Sequence, residues 1–234
     1  MSKILLFGGK GELGENLIKL NPDIFSPTRK EFDILNAREK NNDYKKLIKW
    51  FSEYDIFINA AEDSSGEYYT MFKVNTVFPS YLAEMIAKRK NKIFIHISTD
   101  KVFSGFSGDK AHDPYPAGFV IKPEFYTEIN YSFTRWLAEN NILMLIPRHR
   151  FLIIRAPRAS RSFSGGIPST WITSADYTDN QAKKIMDIVN NIEKYKDKGF
   201  VNLGLPGRPY SALFPGNEVF ETDLNLDFSL ELGD

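Results

Sequence analysis

Cysteine is absent, which excludes disulfides, thiol nucleophiles and thiolate metal sites. Histidine is scarce. His96, His112 and His149 lie far apart and offer no metal-ligand spacing, so no metal is expected. No run approaches the roughly 18 apolar residues of a membrane helix. The first residues pass straight into a strand-like run rather than a leader, so a cytoplasmic protein is expected, with no membrane partner. Neither sign of charge is in excess. The 30 basic residues balance 30 acidic ones, which gives no general reason to expect nucleic acid as a partner. Internal repeats and low-complexity linkers are also missing. What is present suffices for a full core: 234 residues, 42% of them hydrophobic, suit one domain or one large and one small.

The chain is organised around its first residues, MSKILLFGGKGELGENL. Residues 3–7 read as a short buried strand, and residues 12–20 as a helix with Leu13, Leu17 and Leu20 on one face. Between them Gly8, Gly11 and Gly14 are spaced G-x-x-G-x-x-G. Strand, glycine turn and helix together hold a diphosphate. The glycines allow close backbone approach, and the helix N-terminus presents free N–H groups. Glycine-rich turns after strands are common, so this turn alone does not decide the matter.

A second extended stretch, residues 23–28, ends at Arg29 and Lys30, with no acid before Glu31. In dinucleotide-binding folds this strand end faces the adenosine ribose. An acid there accepts from a 2′-hydroxyl, and a base suits a 2′-phosphate. Arg29 therefore points to NADP, with NAD as the alternative; two solvated surface cations would look the same. DIFINAA, residues 55–61, is a strand closing on small residues, and KIFIHIS, residues 92–98, is another, leading into Thr99. His96 lies within that apolar run and reads as a packed core histidine. Residues 104–130 form a long loop rich in Gly, Pro, Asp and aromatics. A helix over 131–144 and a strand over 151–154 follow. The order β-α-β-α-β-α-β-loop-α-β predicts an α/β fold with a doubly wound parallel sheet of Rossmann type.

The last third differs. Residues 156–176 are polar and irregular, 179–196 form an amphipathic helix, and 199–204 form a strand expected to return to the main sheet. In DLNLDFSLEL, Leu224, Leu226, Phe228, Leu230 and Leu232 alternate with polar residues, giving a half-buried strand. Its apolar face covers either its own domain or a second copy, in a homodimer. The division expected is an NAD(P)-binding domain over 1–157 and a small substrate-binding region over 158–234.

Two spacings carry the catalytic argument. Ser98 and Thr99 stand at the carboxyl end of a strand, where open α/β sheets place ligands. Tyr131 and Arg135 are four apart on one helix face. A tyrosine donates a proton to a carbonyl oxygen when a nearby cation lowers its pKa, and the Thr99 hydroxyl can hold the same oxygen.

In these stretches the sequence resembles the extended short-chain dehydrogenase/reductases, most closely the dTDP-4-dehydrorhamnose reductase group. The matching segments are FGGKGELG (7–14), EFDIL (31–35), DIFINAA (55–61), VNTVFPSYLAE (74–84), ISTDKVFSG (97–105), YSFTRWLAE (131–139) and FLIIRAP (151–157). The resemblance implies a Thr–Tyr–Lys catalytic set and a nucleotide-linked 4-keto sugar as substrate. By position the threonine is Thr99, the tyrosine is Tyr131 and the lysine falls on Arg135. Gly8, Lys10, Gly11, Leu13, Gly14, Arg29, Asp33, Ala60 and Asn75 are the expected cofactor contacts. Arg155 and Arg158, from a run of arginines, are candidate clamps on the substrate diphosphate. Tyr126 is the weaker tyrosine, since Asn130 stands four residues on.

Three departures from the family matter. Arg135 keeps a positive charge but cannot pass on its proton. Lys101 follows Thr-Asp where the family commonly has tyrosine and related dehydratases an acid. The C-terminal part is short for the group. The leading expectation is an NADP-dependent reductase of a nucleotide-activated 4-keto sugar. The alternatives are a non-catalytic cofactor-binding or regulatory subunit on the same fold, and a nucleotide-sugar epimerase.

Overall fold

The computed structural model describes residues 2–39, 41–102, 131–157, 159–160, 172–173, 176–203, 208–209 and 227–228. The loop at 104–130, Tyr126, Arg158 and all but two residues of the 224–232 strand lie outside the described residues. Through Ala156 the elements run β1 (Ile4–Phe7), α1 (Glu12–Leu20), α2 (Asn42–Glu53), β2 (Ile56–Asn59), α3 (Tyr68–Phe72), α4 (Phe78–Ala87), β3 (Ile93–Thr99), α5 (Tyr131–Leu145) and β4 (Phe151–Ala156). The short strands β5 (Ala159–Ser160), β6 (Ile172–Thr173) and β7 (Asp176–Tyr177) come next, then α6 (Thr178–Asn190), α7 (Ile192–Tyr195), β8 (Phe200–Asn202), β9 (Arg208–Pro209) and β10 (Asp227–Phe228).

The centre is a parallel sheet in the order β1-β2-β3-β4-β8. Its strands are nearly continuous apolar runs because helices cover both faces. Alternate side chains go to opposite layers. Leu5, Phe7, Phe57, Phe94, Phe151 and Ile153 pack under α2 and α4, against Leu47, Phe51, Leu82 and Ile86. Ile4, Leu6, Ile58, Ile95, Leu152 and Ile154 pack against Leu17 of α1 and Ala182, Ile185 and Val189 of α6. This is a doubly wound, Rossmann-like fold. On α1 the packed side chains are Leu13, Leu17 and Ile18. Leu20 is 47% exposed, so the apolar face ends a turn earlier than its spacing suggests.

A division at residue 157 does not separate two cores. Helix α6 and the Val201 and Leu203 side chains belong to the same layer as β1 and α1. The β5–β7 pair and the β10-β6-β9 sheet lie outside the main sheet. Among the described residues no helix is long and apolar enough to cross a membrane.

The topology creates a crevice. Phe25 bridges to one side of β1, with Leu6 N–H donating to Phe25 O at 2.9 Å, and β2 lies on the other side. The chain therefore leaves β1 in one direction and returns in the other, which is where open α/β sheets take their ligands.

Candidate active site

A cleft of about 610 Å³ opens at the carboxyl ends of β1, β2 and β3. That is an ordinary size for a cofactor or substrate site. Its floor is the glycine turn. Gly8 has φ +93°, and a Cβ there would come within 2.6 Å of the Ala60–Ala61 peptide. A Cβ on Gly14 would lie 2.2 Å from Gly8 O. Both positions are closed to side chains because strand, turn and helix approach so tightly. Gly11 is different: a Cβ there meets only Gly8 O, at 3.3 Å. Gly11 is also the N-cap of α1 and supplies no capping side chain. No side chain at Gly11 competes at this helix N-terminus, the kind of end at which diphosphates bind. Lys10 and Leu13 line the same end.

Arg29, Asp33 and Ala60 line the cleft further on. Glu31, the acid nearest Arg29, is spent locally: its carboxylate accepts from Thr28 N and Thr28 Oγ1, both at 2.8 Å. Those two bonds hold its pKa below the usual carboxylate value. Asp33 caps the short turn that follows, accepting from Leu35 N at 3.1 Å. Arg29 forms no ion pair among the described residues.

Thr99, Tyr131 and Arg135 line the opposite end. The Thr99 hydroxyl donates to Asp100 Oδ1 at 3.1 Å and accepts from Lys101 N at 3.2 Å. Tyr131 opens α5, and its hydroxyl donates to Glu62 Oε2 at 2.7 Å. Two cations face its ring, Lys101 Nζ at 5.6 Å and Arg135 Cζ at 6.0 Å from the centroid. Arg135 is 2% exposed and anchors one Nη on the carbonyl of Ile97. Its Nε and Nη1 are buried and make no hydrogen bond to the described residues. Burial pushes the Tyr131 phenol well above its ordinary pKa; Arg135 pulls it down, and Glu62 pushes it further up.

Two expected residues do not reach the cleft. Asn75, expected at the cofactor, is fully buried. Its Oδ1 accepts from Asp63 N at 2.8 Å, and its Nδ2 donates to Asp63 O at 2.8 Å and Thr134 Oγ1 at 3.2 Å. It braces the loop after β2 instead. A wide helical turn, Lys73–Val77, presents it: Phe78 N–H reaches back five residues to Lys73 O. Arg155, expected at the substrate diphosphate, is also buried. It pairs with Glu139 of α5 through Nη2 at 2.7 Å and Nε at 3.2 Å, with Phe200 packed 4.4 Å from the guanidinium. A buried arginine already paired with a carboxylate is not a clamp for solvent-borne phosphate. His96 is buried, and its Nδ1 lies 3.2 Å from Asn59 Nδ2, which fits a core histidine.

Sequence reasoning missed Glu62 and the position of Lys101 over the tyrosine ring. Glu62 carried a signal nonetheless: it directly follows the small residues at the carboxyl end of β2, the end at which ligands lie.

The donor set fits a phosphorylated dinucleotide. The glycine floor, the uncapped helix, Arg29 and the orphaned Arg135 donors share one cleft.

Residues 2–159 match the family described as the RmlD substrate binding domain. A dTDP-4-dehydrorhamnose reductase of Aggregatibacter actinomycetemcomitans is 34% identical over 201 residues, covering 82% of this chain. The chain spans only 58% of that relative's length. The crystal structure of a Bacillus anthracis dTDP-4-dehydrorhamnose reductase in complex with NADP is similar in fold. Its TM-score is 0.70 at 18% identity, over 91% of this chain and 78% of that one. The Bordetella bronchiseptica enzyme WbmG in complex with NAD gives 0.69 at 14% identity, over 99% and 85%.

Proposed function

The chain belongs to the RmlD substrate binding domain family, and from that premise we propose that it is an NADP-dependent reductase of a nucleotide-activated 4-keto sugar. The observation that carries this reading is the meeting of Thr99, Tyr131 and Arg135 with the glycine turn in one cleft. The 34% identical reductase supports the same substrate class. The NADP-bound neighbour supports the fold's capacity for that cofactor.

Gly8, Gly11 and Gly14 with the first turn of α1 would hold the diphosphate, Arg29 the 2′-phosphate, and Arg135 the nicotinamide ribose. The reduced nicotinamide supplies a hydride. Tyr131 gives the proton to the sugar carbonyl oxygen, and Thr99 holds that oxygen in place. Arg135 acts as a fixed charge: it favours the tyrosinate left behind but transfers no proton itself. The test is NADPH consumption with a dTDP-linked 4-keto-6-deoxyhexose. Tyr131→Phe is expected to lose about 10²–10⁴-fold, and Gly11→Val to lose NADPH binding by calorimetry. Gly11 is the least crowded of the three glycines, a Cβ there meeting only Gly8 O at 3.3 Å, so its replacement disturbs the turn less than one at Gly8 or Gly14.

Two features favour a second reading. The raised Tyr131 pKa and the arginine at the lysine position suit a subunit that binds the dinucleotide without turnover. Binding of NADPH with no consumption separates the two.

A further inference from the structure

Glu62 and Tyr131 belong to a closed circuit of contacts. The Tyr131 hydroxyl donates to Glu62 Oε2 at 2.7 Å. The next residue, Asp63, is held through its N–H and C=O by the Asn75 amide, both at 2.8 Å. Asn75 Nδ2 donates to Thr134 Oγ1, and Thr134 Oγ1 donates to Tyr131 O at 2.7 Å. Loop, helical bulge and α5 are therefore tied so that this carboxylate meets this phenol. Glu62 itself is exposed to solvent. The other charged groups facing the phenol are Arg135 on α5, and Lys101 and Asp100 after β3.

Reduction of a carbonyl consumes one proton per turnover, and the tyrosinate that gave it must be recharged. Arg135 cannot do this, because guanidinium does not deprotonate. We propose that Glu62 is the proton relay of this site, carrying protons from water to Tyr131. The idea rests on the reductase reading. As the carbonyl carbon accepts the hydride, its oxygen takes the Tyr131 proton. The phenolate oxygen takes the proton of the Glu62 carboxylic acid, and the carboxylate takes one from water. Glu62 meets the reaction only at the Tyr131 hydroxyl, which it recharges. An ionised Glu62 opposes the step, since it would leave two anions in contact.

The test uses Glu62→Gln, which keeps the hydrogen bond but neither charge nor exchangeable acid proton. With 3,5-difluorotyrosine placed at position 131, the phenol's ionisation is followed by ¹⁹F NMR without turnover. It is expected about 1 pH unit or more lower in Glu62→Gln than in the wild type. Stopped-flow NADPH oxidation with the dTDP-linked 4-keto-6-deoxyhexose gives the second readout. Glu62→Gln should turn over more slowly than the wild type, because it has no acid proton to hand on, and its pH profile should differ from the wild type's. An unmoved ¹⁹F titration overturns the coupling. Turnover by Glu62→Gln with the wild-type pH profile, or a faster rate at every pH, overturns the relay alone. No turnover by either protein, with the ¹⁹F shift present, overturns the reductase reading and the relay with it, while the contact stands.

Discussion

The Asn75 amide grips the backbone of Asp63 from both sides, taking its N–H and giving to its C=O at 2.8 Å each. One buried side chain thereby fixes the loop that borders the Tyr131 end of the cleft. Asn75→Ala leaves both groups of Asp63 without this partner. The loss should be about 1–3 kcal/mol in urea unfolding, together with slower turnover at unchanged NADPH affinity. A variant that loses NADPH affinity instead would return Asn75 to the cofactor.

Arg29 is predicted to set the cofactor preference. Glu31 bonds to Thr28 and forms no ion pair with Arg29 among the described residues, which leaves the Arg29 guanidinium to meet a 2′-phosphate. Calorimetry should show NADPH binding more tightly than NADH, and Arg29→Ala should bring the two together. Equal affinities in the wild type would contradict the assignment.

Much of this was legible in the sequence. The apolar runs gave the parallel strands, and the glycine spacing and the Tyr131–Arg135 interval gave both ends of the cleft. The partners of Asn75 and Arg155 were not legible. Asn75 meets Thr134 across 59 residues, and Glu62 meets Tyr131 across 69. Such contacts depend on how helices lie over the sheet, which no local spacing encodes. Arg155 did carry a clue. It continues the alternation of Phe151 and Ile153, so it projects into the same covered layer, where only a buried carboxylate such as Glu139 makes a cation tolerable.

That pair yields a stability prediction. Breaking a buried ion pair from one side costs about 3–5 kcal/mol, whereas replacing both members by apolar residues is often neutral. Arg155→Met alone should be strongly destabilised, and Arg155→Met with Glu139→Leu should recover most of the loss. If Arg155→Met instead raised the KM for the sugar nucleotide without destabilising the fold, Arg155 would belong to the substrate site after all.

His96 sets an acid limit on stability. Burial, with Arg135 adding to it, holds its pKa well below 6.5 in the folded protein. The unfolded chain takes up a proton below about 6.5 and the native state does not. Stability is therefore complete above that pH and lost as pH falls below it, by about 1.4 kcal/mol per pH unit until the folded pKa is reached. The lowered carboxylates, such as Glu31, act only at lower pH, below the ordinary carboxylate range. Urea unfolding between pH 8 and pH 5 should show this loss in the wild type and a flatter profile in His96→Gln. Equal slopes would place the acid sensitivity elsewhere.

The central claim is that Tyr131 and Thr99 form a working reductase site although arginine stands where the family has lysine. The most direct measurement is NADPH consumption by the wild type and Arg135→Lys, with a dTDP-linked 4-keto-6-deoxyhexose and with NADPH binding checked in parallel. The account predicts slow turnover by the wild type and an equal or faster rate for Arg135→Lys, which regains a cation able to reach both tyrosine and ribose. No consumption by either protein, with NADPH still bound by both, would contradict it.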